Sequence, residues 1–472
     1  MLHHHGIEDA RPGQAVELTE TIFHDYLDEH GNLAGGRGII TNVIDPASLA
    51  AVTVPPAAVS SRGAIGNPQN RIDIVVVGDG YTETQQGLFA QHADNAMEDL
   101  FAVSPFSIYR DYYNVHYVEV VSNESGVDHD PTFPTFRDTR LGMQFWCNNI
   151  ERLLCVNVAQ AYAYAAQAPG ADQVIAIANS SKYGGAGYPT SNLGTAAGGN
   201  SSAPQIVIHE LGHSLGDLAD EYTYGGPTNY TGPEPNDANV SIFDAAQMAQ
   251  FNTKWSAWLG ENQPAYDGFH NTYEGGFYSV TGVYRPTNNS MMRNLGRPFN
   301  LPSAEALILK MYEDVDPIDS VFPASGVADD NDVLAVVTLE PDPYTLEISW
   351  AVNGVLVPEA TGPEFVLASQ GLPAGEYTVS VLVRDETPLI RNESARATLA
   401  TGRFSWEVTV NSCAGDADGD GVVDTADITF VVSNLGGGVF GAVGTPGDAN
   451  FDGICGVEDI TFVVANLSAQ CD

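Results

Sequence analysis

Two histidines and a glutamate stand at a spacing suited to metal chemistry. Residues 205–221 read QIVIHELGHSLGDLADE, with His209 and His213 four apart. On a helix that spacing puts both imidazoles on one face, about one turn apart, where neutral ring nitrogens can bind one tetrahedral zinc. Glu210 follows the first histidine as in the H-E-x-x-H signature, where it is the general base toward a metal-bound water. Zinc lowers the pKa of that water to about 7. Glu210 would take the proton and pass it to a leaving amine, which is peptide-bond hydrolysis. H-E-x-x-H alone also arises by chance in half-buried helices, so the residues around it carry the weight.

Gly216 comes three residues after His213, where a helix must break to return a third ligand. In the longer metzincin pattern, H-E-x-x-H-x-x-G-x-x-H, the third histidine falls at position 219. Here that residue is Ala219, followed by Asp220 and Glu221. A carboxylate is an acceptable zinc ligand, so Asp220 is the expected third ligand and Glu221 the fallback. Downstream, YRPTNNSMMR (284–293) offers a methionine in a tight turn, which in metzincins packs beneath the ligand histidines. Met292 is the candidate, with Met291 behind it. No tyrosine follows this turn closely, so one that stabilises an oxyanion would be Tyr284 or another, more distant one.

These residues need a scaffold. RIDIVVVGDGY, YYNVHYVEVVS and DQVIAIANS read as buried strands. ETQQGLFAQHADNAMEDLF and residues 157–168 read as the helices between them. That alternation predicts an α/β layer leading to His209. GDGY reads as a tight turn, and YGGAG as an edge strand able to pair with a peptide by β-augmentation. Asp128, His129 and Asp130 read as a solvated loop. The expected architecture is multidomain: an N-terminal β segment (1–69), an α/β metzincin-like catalytic domain (70–316), an immunoglobulin- or fibronectin-like β-sandwich (317–411) and a C-terminal calcium-loop module (412–472). The sandwich reading rests on short strands between turn residues, such as YTLEISWAVNG and GEYTVSVLVRD.

The C-terminal module carries two twelve-residue loops. DADGDGVVDTAD (416–427) places Asp416, Asp418, Asp420, the Val422 carbonyl, Asp424 and Asp427 at calcium-ligand positions, with Gly421 at the turn. DANFDGICGVED (448–459) repeats this with Asp448, Asn450, Asp452, Ile454 and Asp459, and Gly453 at the turn. Each loop precedes a matching segment, ITFVVSNLG or ITFVVANLS. Hard oxygen ligands favour Ca²⁺.

At this point two resemblances enter. GDGY (78–81), SNESGVD (122–128), NSSKYGGAG (179–187), HELGHSLGDLADEY (209–222) and YRPTNNSMMR together resemble the IgA-peptidase (igalysin-like) family of zinc metallopeptidases. The resemblance implies a zinc endopeptidase, generally exported from bacteria, with a smaller β domain ahead of the catalytic one. Residues 1–69 are similar to a shortened version of that leading domain. The paired loops, with Asp at position 12, are similar to a type I dockerin, which implies a cohesin-type partner on a scaffold or cell surface; the alternative is a calcium-stabilised terminal cap with no partner.

Composition narrows the setting. The 472 residues carry 60 Asp and Glu against 18 Lys and Arg, a formal charge of −42. Such a surface repels nucleic acid and anionic membranes. No apolar run approaches the roughly 18–20 residues of a membrane span. MLHHHGIEDARPGQ lacks the apolar core of a signal peptide, so a secreted or cell-surface protein is expected whose signal is not in this chain. His3, His4 and His5 read as terminal residues, not ligands. Cys147 and Cys155 could close a short loop, Cys413 and Cys471 could clasp the final segment, and Cys455 is left over. Two other functions share this sequence: an inactive surface adhesion or binding protein on a peptidase fold, against which the retained Glu210 argues, and a cell-wall peptide amidase with the same zinc chemistry.

Overall fold

The computed structural model describes residues 16–27, 33–44, 52–63, 65–224, 228–329, 332–370, 372, 375–410, 415–418, 422–435, 447–449 and 455–467. They fall into two compact units: Met1–Val315 with Glu340–Thr345 and Thr387–Leu399, and Asp316–Leu339 with Leu346–Glu386 and Ala400–Asp472.

The first unit is built on an eight-stranded sheet. Its strands are β1 (Val16–Leu27), β2 (Leu33–Ile44), β3 (Ala58–Arg62), β4 (Ile72–Asp79), β5 (Tyr113–Glu119), β6 (Gln173–Ala178), β7 (Gly185–Tyr188) and β8 (Leu193–Ala197), in the order β2-β1-β7-β8-β6-β4-β5-β3. The four central strands β8, β6, β4 and β5 are parallel. Every residue of β4 and β6 is buried, as continuous apolar runs require when both faces are covered. Three helices do the covering: α1 (Gln86–Leu100), α2 (Val158–Ala165) and α3 (Ala203–Ser214). Val75 and Val77 of β4 share an apolar cluster with Ala161, Tyr164 and Ala165 of α2. On the opposite face, a Cβ on Gly78 would stand 2.7 Å from the Phe89 ring of α1. The α3 helix packs on α1, β7 and β8.

β1, β2 and β3 all come from the first 69 residues and extend the large sheet. One arrangement differs from the expectation. β7 is antiparallel to β8, but its other side meets β1 at Phe23↔Gly187, so it is not a bare edge. A disulfide joins Cys147 to Cys155.

The remainder of the unit holds α4 (Ala245–Phe251), the short pair β9 (Asn262–Gln263) and β10 (Gly268–Phe269), the hairpin β11 (Tyr273–Gly276) and β12 (Ser279–Arg285), α5 (Leu301–Asp314) and α6 (Glu393–Thr398). The α5 helix buries Leu301, Ala304, Leu307, Ile308 and Met311, an apolar stripe at helical spacing. Asn300 caps it by accepting from the Ser303 N–H.

The second unit contains two sheets around a common core. One has β13 (Ile318–Phe322), β15 (Val333–Thr338) and β18 (Glu364–Val366); the other has β14 (Val327–Asp329), β16 (Glu347–Val352), β17 (Val355–Val357), β19 (Gly375–Arg384) and β20 (Thr401–Val410). Leu334, Val336 and Phe365 from the first meet Trp350, Val381, Trp406 and Val408 from the second. The unit ends in α7 (Thr425–Asn434) and α8 (Val457–Asn466), whose Val431 and Val463 pack with Val423, Ala449 and Cys455. The Cys455 thiol is free and buried, and burial pushes its pKa up. Cys413 and Cys471, like His3 to His5, lie outside the described residues.

Candidate metal centre and active site

His209 and His213 sit one turn apart on α3, buried to within 1%. Each ring is oriented through Nδ1. His209 donates to the Met291 carbonyl at 3.0 Å, and His213 to the Leu218 carbonyl at 2.6 Å. With Nδ1 carrying the proton, a neutral imidazole presents its lone pair at Nε2. The two Nε2 atoms are 3.2 Å apart, and Asp220 Oδ1 lies 3.2 Å from one and 3.3 Å from the other. Four-coordinate zinc with bonds of about 2.0–2.1 Å spaces its ligand atoms about 3.3–3.4 Å apart. Three electron-rich atoms buried at that separation fit a cation. Burial alone would raise the Asp220 pKa, but protonated His213 and His209 imidazoles would outweigh it and hold the carboxyl below its ordinary range.

The chain delivers Asp220 by a connection one residue longer than the motif's, whose third ligand would stand at Ala219. The α3 helix ends at Ser214, two residues before Gly216, and the left-handed residue is Asp217 at φ 48°. Gly216 is needed for close packing: a Cβ there would stand 2.7 Å from Leu307 and 2.9 Å from the Gly212 carbonyl. Asn239 then clamps the loop, accepting from the Ala219 N–H at 2.9 Å and donating to the Ala219 carbonyl at 2.8 Å. From the other side, the Phe277 N–H donates to the Asp220 carbonyl and the Tyr278 N–H to the Tyr222 carbonyl. The Tyr278 hydroxyl donates to Asp220 Oδ2, leaving Oδ1 toward the histidines.

Glu221, the fallback ligand, is turned away. Its carboxylate accepts from Asn239 at 3.0 Å, Asn300 at 2.9 Å and Ser290 at 2.7 Å. Burial raises its pKa against those three hydrogen bonds. Its N–H donates to the Met292 carbonyl at 2.7 Å, and the Arg293 guanidinium donates to the Glu221 carbonyl at 2.9 Å. Glu221 thus ties the Asp220 loop to the turn at 290–293. Met292 of that turn lies under α3: a Cβ on Gly212 would stand 2.5 Å from its sulfur.

Glu210 points to the sheet. Its Oε2 would be 2.6 Å from a Cβ on Gly187, and its Oε1 3.5 Å from one on Gly185. The missing side chains of β7 therefore make the bed in which this carboxylate lies. Phe23 of β1 stacks on the His213 imidazole, with ring centroids 4.1 Å apart and planes 10° from parallel. Tyr278 and Phe23 were not legible as site residues, because strand register and a glycine-rich hairpin bring them in from distant sequence. The GG pair at 275–276 was the available signal for Tyr278. Tyr284 pairs by its backbone with Ser241 and Glu274.

Residues 63–272 match the family model of IgA Peptidase M64. No curated protein matches the chain. The match spans the α/β layer, His209, Glu210, His213 and Asp220, so this region is similar to a peptidase, and a protein or peptide is the matching class of substrate. No helix among the described residues is long and apolar enough to cross a membrane.

In the C-terminal module, Asp416, Asp418 and Asp427 bring carboxylate oxygens within 4.8 Å of one another. Asp427 also accepts from the backbone N–H groups of Ala417, Asp418 and Asp424. Asp424 caps α7 through the Ala426 N–H, and Val422 is exposed. Asp459 is buried and accepts from Gly456 N–H, while Asp448 is half-buried. Asp420, Gly421, Asn450, Asp452, Gly453 and Ile454 lie outside the described residues. Asp128 accepts from the Arg137 N–H, and His129 is buried.

Proposed function

We propose that the chain is an exported zinc endopeptidase in which His209, His213 and Asp220 hold the metal and Glu210 is the general base. The observation that carries this reading is the convergence of two Nε2 atoms and one carboxylate oxygen at 3.2–3.3 Å, next to a glutamate in the order H-E-x-x-H. A bound zinc ion would supply Lewis acidity to water and to the scissile carbonyl. Glu210, resting on β7, takes a proton from water at its carboxylate and hands it to the leaving nitrogen. Asn239 and Tyr278 fix Asp220, and Met292 supports α3 below the histidines.

The disulfide between Cys147 and Cys155 supports an oxidising compartment. The two-sheet segment acts as an immunoglobulin-like spacer. The C-terminal pair of helices acts as a dockerin-like, calcium-bound module with a cohesin-type partner, a reading supported by the Asp416, Asp418 and Asp427 cluster. Zinc content separates the central reading from its rivals. Wild-type protein should hold one zinc and cleave casein; Asp220→Ala should lose the zinc. Zinc-free wild type would refute the ligand assignment, and zinc-bound protein that cleaves no peptide would refute the endopeptidase.

A further inference from the structure

The strand beside Glu210 is already taken. β7 is the antiparallel strand next to α3, and the backbone partner it meets on its outer side is β1, at Phe23↔Gly187. Gly187 is the residue whose missing side chain makes room for Glu210. A peptide bond cleaved with Glu210's help must therefore come close to the place where β1 now runs. An extended peptide would dock there by strand addition, its main chain pairing with β7.

The attachment of β1 is uneven. It pairs with β2 along its whole length, from Val16↔Ile44 to Leu27↔Leu33, whereas among the described residues its ladder with β7 is the pair Phe23↔Gly187. At that point its side chain fills the site. Phe23 is 6% exposed, lies flat on His213 and packs with Tyr222 and Tyr278. It also forms one wall of a cavity of about 450 Å³ beside His213, with Pro189, Thr190 and Leu218. An aromatic ring that deep, carried by one pairing position, has the form of a plug on a hinged ribbon.

We propose that the β1–β2 hairpin is an internal competitor for the substrate: β1 occupies the β7 edge in the resting chain, and an extended peptide with a bulky apolar side chain in the place of Phe23 must displace it. This rests on the peptidase reading of the site and deepens it. The fraction of molecules with β1 released scales the apparent affinity for any occupant of that edge. Weakening the plug by removing its ring should strengthen binding by about tenfold, the order expected for losing most of a buried aromatic contact.

The test uses the full chain loaded with zinc and a peptide hydroxamate, a probe that binds the metal and an extended-strand site without being cleaved. Hydroxyl-radical labelling of the Phe23 side chain, 6% exposed in the resting chain, is followed with and without saturating probe, and the probe's affinity is compared between wild type and Phe23→Ala. The expected result is a rise in Phe23 labelling on probe binding, with about tenfold tighter binding by Phe23→Ala at equal zinc content. A probe that saturates the wild type while Phe23 stays shielded overturns the proposal, as does equal affinity of the two proteins. The wild-type labelling measurement decides even where Phe23→Ala folds poorly. Failure of the peptidase reading shows elsewhere, as a wild type that takes up no zinc.

Discussion

At the scale of single residues, Asp220 and Glu221 are adjacent carboxylates with opposite duties. Asp220 turns Oδ1 to the two histidines; Glu221 is consumed by Asn239, Asn300 and Ser290. Their alanine variants should separate cleanly. Asp220→Ala should lose zinc yet keep a cooperative thermal transition. Glu221→Ala should lower stability by about 3 kcal/mol, because three buried donors lose their acceptor, and a denaturant titration reads it. Equal effects on stability would mean the duties are misassigned. Part of this was legible: the spacing of His209, Glu210, His213 and Asp220 named the residues, and the uncertainty lay in which carboxylate faced inward. The sequence could not decide that, because the answer depends on Asn239, Ser290, Asn300 and Tyr278, 18 to 79 residues away from their partners.

At the scale of elements, the central strands and their covering helices followed from apolar pattern and motif. β4, β5, β6 and the three covering helices fall where continuous β-branched runs and helical spacing put them. The pattern was silent on pairing, which is why β7 was read as an edge and β1 as part of a separate segment. Register also explains two glycines in β7 that pattern treats as defects. Gly187→Ala should fold, because its Cβ meets the mobile end of Glu210, at 2.6 Å. It should nevertheless lower kcat by about 10²-fold, the cost of a misplaced catalytic group, with zinc content unchanged. Steady-state kinetics beside metal analysis reads this; full activity would show that the Glu210 carboxylate does not work from its bed on β7.

At the scale of the whole molecule, composition showed an acidic chain with material for several cores, and the structure divides into two compact units. Strand repeats made the two-sheet segment legible, and the paired acidic loops made α7 and α8 legible. Carboxylates such as Asp416, Asp418 and Asp427, held within 4.8 Å, repel one another unless a cation lies between them. Calcium chelation should therefore remove helical signal from the tail while near-ultraviolet signals of Trp350 and Trp406 in the two-sheet core persist. Helicity unchanged by chelator would count against calcium. The most direct test of the account returns to the metal centre: zinc content and casein hydrolysis of wild type and Glu210→Ala, side by side. The account expects one zinc in each protein, with cleavage by the wild type alone, the variant being slower by at least about 10²-fold. Equal cleavage by both, or a wild type without zinc, would contradict it.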